Sequence, residues 1–310
     1  MTADNGAALV RKQGNIKYAL SGDDAFVASM TPGEVFTVEC AINVNDGTIR
    51  HLGQQLTPAD VTLPYVNGAT GPIEIKGAQP GDMLSVEVLD MKLNGLGFTA
   101  LWPGIGIFPD WVRRKEFGIR TRVVEVSDGV VHWSDSVKFP IRPMIGVVGV
   151  APLHGAVLTM DNGTHGGNMD VQEMTTGNTV MLRVNREGAH LFLGDCHAIQ
   201  GDGEVNGMGA IEIAADLTVR VSLEPAPERL IHPRIETPTH ICTTGCARPL
   251  EDAMRIAFEE MVYWLEDSYG VPAHEGYMLL GQIAEARCTQ MVNPKYTYIC
   301  KVSKDVLKQL

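Results

Sequence analysis

The chain has 310 residues, 45% of them hydrophobic and 20% charged, so it can bury a sizeable core in one large unit or two or three smaller ones. Its 37 acidic and 25 basic side chains give a formal charge of −12, which argues against nucleic acid and anionic membranes as partners. Residues 1–20 show no signal peptide, and no apolar run approaches the ~20 residues that span a bilayer. The sequence therefore predicts a cytoplasmic protein without a membrane segment.

Most of the chain reads as short strands separated by Gly, Pro and Asp turns. Four segments alternate or run apolar with β-branched residues, which is typical of strands. They are residues 34–44 (EVFTVECAINV), 83–93 (MLSVEVLDMKL), 120–133 (RTRVVEVSDGVVHW) and 217–225 (LTVRVSLEP). Within the third segment, Asp128-Gly129 predicts a tight hairpin turn.

Helix is predicted only near the end of the chain. Residues 248–270 (RPLEDAMRIAFEEMVYWLEDSYG) carry apolar side chains at three- and four-residue steps, with Pro249 suited to the first turn and Gly270 to the stop. Residues 274–286 (HEGYMLLGQIAEA) form a second, shorter helical segment. Strands first and helices last predict an α+β fold that is predominantly β, with a dominant sandwich or barrel.

Two predicted linkers divide the sequence into three parts. The first follows FPIRPMIG near residue 146, and the second lies in the Pro-rich stretch EPAPERLIHPRIETP. The predicted parts are a β-rich N-terminal part (1–146), a β core that carries the candidate site (147–228) and an α+β C-terminal part with two helices (229–310).

Residues 190–213 (HLFLGDCHAIQGDGEVNGMGAIEI) combine many ionisable side chains with an otherwise apolar, Gly-rich sequence. Asp195 and His197 are two residues apart, so on a strand their side chains point to the same side. Asp202 and Glu204 repeat this spacing between glycines. Because a buried carboxylate is costly unless it is paired, hydrogen-bonded or bound to a metal, the stretch is either surface or a functional site.

A second group of polar side chains lies just upstream, in DNGTHGGNMD. Its members are Asp161, His165, Asn168 and Asp170. Carboxylates combined with imidazole suit zinc or another first-row divalent cation, and a spare carboxylate beside such a cation can act as a general base. The alternative is that the Gly-Asp-Gly segments are ordinary turns. The repeated acid and His pairs beside Gly pairs favour a site.

Other chemistries find less support in the sequence. No G-x-S-x-G motif is present, and the glycines of LNGLGF and PGIGIF do not follow a dinucleotide-binding pattern. The six cysteines are scattered, which predicts reduced thiols, and the C-x3-C spacing of Cys242 and Cys246 fits zinc poorly. Cys196 is a candidate nucleophile, but strand alternation points it away from Asp195 and His197.

Several long segments resemble the acetamidase/formamidase family, among them PIEIKGAQPGDMLSVEVLDM, MIGVVGVAPLHGAV, HGGNMD and GDCHAIQGDGE. The resemblance extends over roughly residues 60–300. It implies a jelly-roll-like β-sandwich with a small β-barrel and an α+β C-terminal part. It also implies a metal-dependent homo-oligomer that hydrolyses a short, neutral amide to a carboxylate and ammonia, with zinc as the usual metal and calcium as a second possibility.

The resemblance assigns the site to the acidic and His positions of these motifs. We predict that Asp170, Asp195 and His197 hold a divalent cation. Glu204 is the predicted general base, which takes a proton from water and returns it to the leaving amine. The opposite assignment, with Asp202 as the base and Glu204 as a ligand, stays open at this stage.

Asn168 and His165 are the predicted substrate-binding residues, as donors to the amide or to the tetrahedral oxyanion. Two alternatives to a short-chain amidase remain. The first is a hydrolase of a larger or cyclic amide such as a lactam, which a pocket lined by Trp102 and Trp111 would favour. The second is a non-catalytic binding module of the same fold. The sequence leaves open whether five further residues belong to the site: Asp46, His51, His154, Asp161 and Glu212.

Overall fold

Strands dominate the computed structural model, which describes residues 7–44, 46–114 and 117–310. The strands of the first half are β1 (Ala8–Val10), β2 (Ile16–Lys17), β3 (Ala19–Ser21), β4 (Ala28–Met30), β5 (Val35–Cys40), β6 (Ala69–Ile75), β7 (Asp82–Leu101), β8 (Arg120–Ser127), β9 (Val130–His132) and β10 (Lys138–Pro140). Those of the second half are β11 (Met144–Gly149), β12 (Ala156–Leu158), β13 (Asn162–Gly163), β14 (Gly166–Asn168), β15 (Thr179–Arg183), β16 (Leu191–His197), β17 (Gly207–Pro225), β18 (Arg234–Glu236), β19 (His240–Ala247), β20 (Glu285–Gln290) and β21 (Tyr296–Ser303). The helices are α1 (Leu250–Tyr269), α2 (Ala273–Ile283) and α3 (Lys304–Leu307).

All four strand segments predicted from the sequence are confirmed, and two of them belong to much longer strands. β7 has 20 residues and β17 has 19. Between β8 and β9, Asp128 and Gly129 both have positive φ, at 51° and 75°, and Ser127 pairs with Val130. Two positive φ values in a two-residue loop are what a type I′ hairpin turn requires.

In the described part of the chain, nineteen strands form one hydrogen-bonded sheet. β7 and β17 pair antiparallel along almost their whole length, from Asp82 opposite Pro225 to Leu101 opposite Gly207. β16 lies between β6 and β11, and its last residue, His197, pairs with Glu212 of β17. Every residue of β16 is buried, so its Asp and His side chains lie inside the protein.

This architecture confirms the predominantly β, α+β class. The finer division into a jelly-roll-like sandwich and a small barrel stays a prediction. The predicted boundary at residue 146 falls inside β11, and β7 of the N-terminal part pairs with β17 of the middle part, so hydrogen bonding continues across that boundary. None of the helices formed by the described residues is long and apolar enough to cross a membrane.

The C-terminal helices lie where the sequence predicts them. α1 begins after Pro249 and ends at Gly270, whose φ of 68° places it in the left-handed region that glycine adopts without strain. The apolar stripe of α1, including Met261 and Leu265, packs on the C-terminal strands. The Thr243 hydroxyl of β19 donates to the main-chain oxygen of Ala257 at 2.6 Å, which ties the helix to the sheet.

Gly245 sets the distance between α1 and β19, and substituting it tests that packing. A Cβ at Gly245 would lie 2.0 Å from the main-chain oxygen of Ala253 and 2.7 Å from the nitrogen of Ala257, so Gly245→Ala must displace the helix. Overpacking of this kind costs about 1–3 kcal/mol. We expect a lower thermal unfolding midpoint by scanning calorimetry. The control is Gly281→Ala in α2, where no atom lies within 4 Å of the new Cβ. Equal midpoints in the two variants would contradict the packing.

Candidate active site and metal centre

Strands β11, β14, β16 and β17 bring five ionisable side chains together inside the sheet. We call them the acid–imidazole cluster: Asp170, Asp195, His197, Glu204 and Glu212. Their exposed fractions are between 1% and 5%. β16 supplies two members and β17 one, while Asp170 and Glu204 lie in the segments that follow β14 and precede β17. The cluster is therefore assembled from separate parts of the chain.

His197 lies at the centre of the cluster. Its Nε2 is 3.1 Å from Oε2 of Glu212 and 3.9 Å from Oδ2 of Asp195. Its Nδ1 is 3.9 Å from Oδ1 of Asp170. The sequence prediction that Asp195 and His197 share one side of a strand is confirmed, and three carboxylates surround the imidazole.

The backbone is strained at three of the acidic residues. Asp170, Asp195 and Glu204 have φ values of 49°, 54° and 46°, a region that non-glycine residues rarely occupy. Gly146 lies opposite Asp195, and a Cβ there would lie 2.6 Å from Oδ1 of Asp170 and 2.8 Å from Oδ2 of Asp195. Such strain is typical of functional sites, where surrounding structure holds side chains in one arrangement.

Asparagine amides hold the carboxylates in place. The Asn293 Nδ2 donates to Oδ2 of Asp170 at 2.9 Å, and the Asn67 Nδ2 donates to Oδ2 of Asp195 at 2.8 Å. With its amide nitrogen facing the acids, Asn168 donates to Asp170 at 3.1 Å and to Asp195 at 3.0 Å. Both amide hydrogens of Asn168 are then engaged by carboxylates, which suits orienting the acids better than binding a substrate.

Burial and mutual repulsion perturb the titration of the cluster. Burial, with the nearby negative charges of other cluster members, raises the pKa of Asp170, Asp195 and Glu204. Burial alone would lower the pKa of His197, but Glu212, Asp195 and Asp170 beside it raise that pKa to about 10. The site thus holds excess negative charge that a cation or protons must balance.

The chemistry of the donor set fits a divalent cation. Asp170, Asp195 and His197 each offer one ligand atom, and these atoms lie within 4.8 Å of one another. Asp195 Oδ1, His197 Nδ1 and Glu204 Oε2 are buried without a hydrogen-bond partner among the described residues, and His197 Nε2 and Glu212 Oε2 face only each other, 3.1 Å apart. Two carboxylates and an imidazole are a ligand set found for zinc in proteins.

The structure brings together most residues that the sequence predicts for the site, and it adds one. Asp170, Asp195, His197, Glu204 and Asn168 converge. Glu212, which the sequence left open, is the nearest carboxylate to the imidazole. It lies opposite His197 across the β16–β17 pair, and the acidic residue in the apolar run AIEI was its only local signal.

Asp202, which the sequence predicts as a second catalytic residue, lies outside the cluster. Its side chain is 60% exposed and accepts a hydrogen bond from Nε of Arg287 at 2.9 Å. Residues 201–206 form a turn, not a strand, with φ of 85° at Gly203 and 46° at Glu204. The two-residue spacing therefore does not bring Asp202 and Glu204 to one side.

His165, which the sequence predicts as a substrate-binding residue, has none of the cluster members among its electrostatic neighbours. Its electrostatic neighbours are Asp161, Lys295 and His232, and burial lowers its pKa to about 4. Positive φ values at Gly166 and Gly167, 82° and 90°, turn the chain between His165 and Asn168.

The other candidates have ordinary surroundings. Asp161 pairs with Lys295, Asp46 pairs with Lys12, and both His51 and His154 are exposed.

Cys196 packs in the main core, where a hydrogen bond with Cys40 and burial raise its pKa well above the usual range, so it is a poor nucleophile. Trp111 is 38% exposed and stacks on Phe108.

The fold is that of several solved acetamidases. The acetamidase from Bacillus halodurans superposes with a TM-score of 0.90 at 29% identity, covering 97% of this chain and 99% of that chain. An acetamidase from Yersinia enterocolitica gives the same TM-score at 31% identity, over 97% and 93%. A gamma lactamase from Delftia acidovorans, at 21% identity and a TM-score of 0.66, shares the fold alone.

Residues 20–160 and 154–307 match the profile of the Acetamidase/Formamidase family, and the chain belongs to that family. The formamidase of Methylophilus methylotrophus is 28% identical over 265 residues, 68% of this chain and 65% of its own length. The acetamidase of Mycolicibacterium smegmatis is 28% identical over 261 residues, 63% of each chain. The chain therefore matches just under two thirds of the length of these curated relatives.

In excess chelator, the protein should become less stable as the pH rises from about 6.5 to about 10. The folded-state pKa of His197, about 10, lies above its ordinary value of 6.5. The stabilising contribution of the imidazolium is therefore complete below about pH 6.5 and lost as the pH passes through about 10. Thermal unfolding midpoints between pH 6 and 10 measure it. His197→Asn should flatten the profile, and parallel profiles for the two proteins would contradict the assignment.

Proposed function

We propose that the protein is an amidase that hydrolyses a short, neutral amide such as formamide or acetamide to a carboxylate and ammonia. The observation that carries the proposal is the acid–imidazole cluster, buried in the sheet of an acetamidase/formamidase family member. The similarity to a formamidase and to an acetamidase supports the same reaction, hydrolysis of a short amide. Because every cluster member is at most 5% exposed, the site suits a small substrate better than a large one.

We further propose that Asp170, Asp195 and His197 hold a divalent cation, with zinc the best fit to two carboxylates and an imidazole and calcium the second choice. When bound, the cation would supply Lewis acidity at the amide carbonyl and balance the buried negative charge. Glu212 would accept the Nε2 hydrogen of His197 across their 3.1 Å contact, which fixes the tautomer and the ring orientation.

Glu204 is our candidate for the general base. Its Oε1 accepts the Gly209 N–H at 3.3 Å, while its Oε2 has no partner among the described residues. Burial raises its pKa, so it is a stronger base than an exposed glutamate. Glu204 would take a proton from the attacking water and deliver it to the leaving amine.

The base assignment is tested by comparing two neighbouring acids. Glu204→Gln removes the proton acceptor, and we expect kcat for acetamide to fall by about 10²–10⁴-fold, the usual contribution of acid–base catalysis, with KM changed little. Asp202→Asn is the matched control, because Asp202 pairs with Arg287 outside the cluster and should keep near-normal kcat. A large loss in Asp202→Asn together with an active Glu204→Gln would reverse the roles.

The substrate class and the cation are tested together. We expect ammonia release from formamide or acetamide, lower rates with propionamide and none with a lactam. Elemental analysis should find about one zinc per chain, and excess chelator should abolish turnover until zinc is restored. Full activity after removal of all metal would refute the cation assignment. Preferred turnover of the lactam would refute the short-chain substrate.

We also propose that the protein works as a homo-oligomer in the cytoplasm, on the family resemblance. Light scattering coupled to size-exclusion chromatography measures the molar mass in solution, and a mass of one chain, 33.6 kDa, would refute the homo-oligomer.

A further inference from the structure

Two asparagines from the loop between β5 and β6 reach the cluster from outside β16 and β17. Asn43 is 6% exposed, and its Nδ2 donates to Oε1 of Glu212 at 3.1 Å. Asn67 Nδ2 donates to Oδ2 of Asp195 at 2.8 Å. The loop thus contacts the two carboxylates that flank the Nε2 of His197.

The two asparagines are also linked to each other. The Oδ1 of Asn43 accepts the main-chain N–H of Asn67 at 3.0 Å and that of Val44 at 2.6 Å. A continuous hydrogen-bonded path therefore runs from Glu212 through Asn43 and Asn67 to Asp195. We call this path the Asn43–Asn67 clamp. Each side chain amide uses a hydrogen on a carboxylate, while the Asn43 oxygen joins the two residues.

The clamp orients carboxylates without neutralising them. An arginine or lysine in its place would cancel a negative charge and compete with a cation, whereas a carboxamide contributes only a dipole. It engages Oε1 of Glu212 and Oδ2 of Asp195 and leaves Oε2 and Oδ1 without a hydrogen-bond donor among the described residues. Oε2 of Glu212 is the oxygen that lies 3.1 Å from Nε2 of His197, and Oδ1 of Asp195 is left for a cation.

The backbone conformation at the clamp is unusual. Val44 has a φ of 66° and Asn67 a φ of 55°. A β-branched residue at positive φ is an outlier that costs stability and persists only where the surroundings demand it. Here it coincides with the residues whose side chains and N–H groups form the path.

We infer that Asn43 and Asn67 are positioning residues, which hold Glu212 and Asp195 in the arrangement that binds a divalent cation and supports amide hydrolysis. The inference rests on the proposed function. Hydrogen-bond partners of metal-site residues typically contribute 10–100-fold to metal affinity or activity. We expect effects of that size on the Zn²⁺ dissociation constant and on kcat, with KM nearly unchanged.

The test compares Asn43→Ala and Asn67→Ala with a control asparagine whose burial is similar to that of Asn43. Asn178→Ala is the control, because Asn178 is 9% exposed and donates to the main-chain oxygen of Glu173 away from the cluster. Each protein is assayed for Zn²⁺ affinity by chelator competition, for kcat and KM with acetamide, and for the visible spectrum of its Co²⁺ form. Asn178→Ala should match the wild type in all three.

Asn43→Ser guards against a variant that fails to fold. Serine adds no charge to the buried cluster and keeps a side-chain oxygen near the N–H groups of Val44 and Asn67, but its shorter side chain carries no amide to reach Glu212. We expect a smaller loss of unfolding midpoint than in Asn43→Ala, a 10–100-fold weaker Zn²⁺ affinity and an altered Co²⁺ spectrum. Zn²⁺ affinity and kcat within twofold of the wild type in both Asn43 variants would overturn the inference.

Failure of the inference is distinguishable from failure of the proposed function. If the wild type binds Zn²⁺ but hydrolyses no amide, the amidase proposal fails, while weaker Zn²⁺ binding in the Asn43 and Asn67 variants still supports the clamp. If the wild type hydrolyses amides without metal, the cation proposal fails. A lower kcat with unchanged KM in the Asn43 and Asn67 variants would then still support their positioning role, and an unchanged kcat would refute it. If it neither binds Zn²⁺ nor hydrolyses an amide, both proposals fall.

Discussion

The burial of four carboxylates and one imidazole in a single cluster is the constraint on which the rest of this structure depends. Charges of one sign, almost fully removed from water, are strongly unfavourable unless protons, hydrogen bonds or a cation balance them. Burial raises the pKa of Asp195 and Glu204, and the acids in turn raise that of His197. Burying such a cluster lowers the free energy of unfolding, and the packing and hydrogen bonding of the surrounding sheet must offset that loss.

The sheet meets this requirement by surrounding β16. Hydrogen bonds to β6, β11 and β17 hold the strand on its two edges, and the main core packs Leu191 and Leu193 of the same strand. This rigid frame tolerates the positive φ at Asp195, and Gly146 opposite leaves room for two carboxylates. The strand pairing on either side of the site therefore stabilises the strained backbone conformation at Asp195.

Local patterns predicted the parts of this protein that local interactions decide. The 3.6-residue periodicity and the flanking Pro249 and Gly270 predicted α1, because a helix is stabilised within its own segment. Strand alternation placed Asp195 beside His197. Alternation does not place Asp202 on the same side as Glu204, because Gly203 and Glu204 adopt turn conformations with positive φ.

Long-range pairing decides the remaining part of the site, which is why the sequence alone did not predict it. Glu212 reaches His197 through the register of β17 on β16, and Asn43 reaches Glu212 over 169 positions of sequence. Asparagine carries no charge pattern that marks it as part of a site, yet amides suit this position better than cations would. They orient the acids and leave the negative charge in place, which is what the proposed cation site requires. The same excess charge that makes the cluster costly to bury is thus the property on which the proposed cation site and the proposed general base depend.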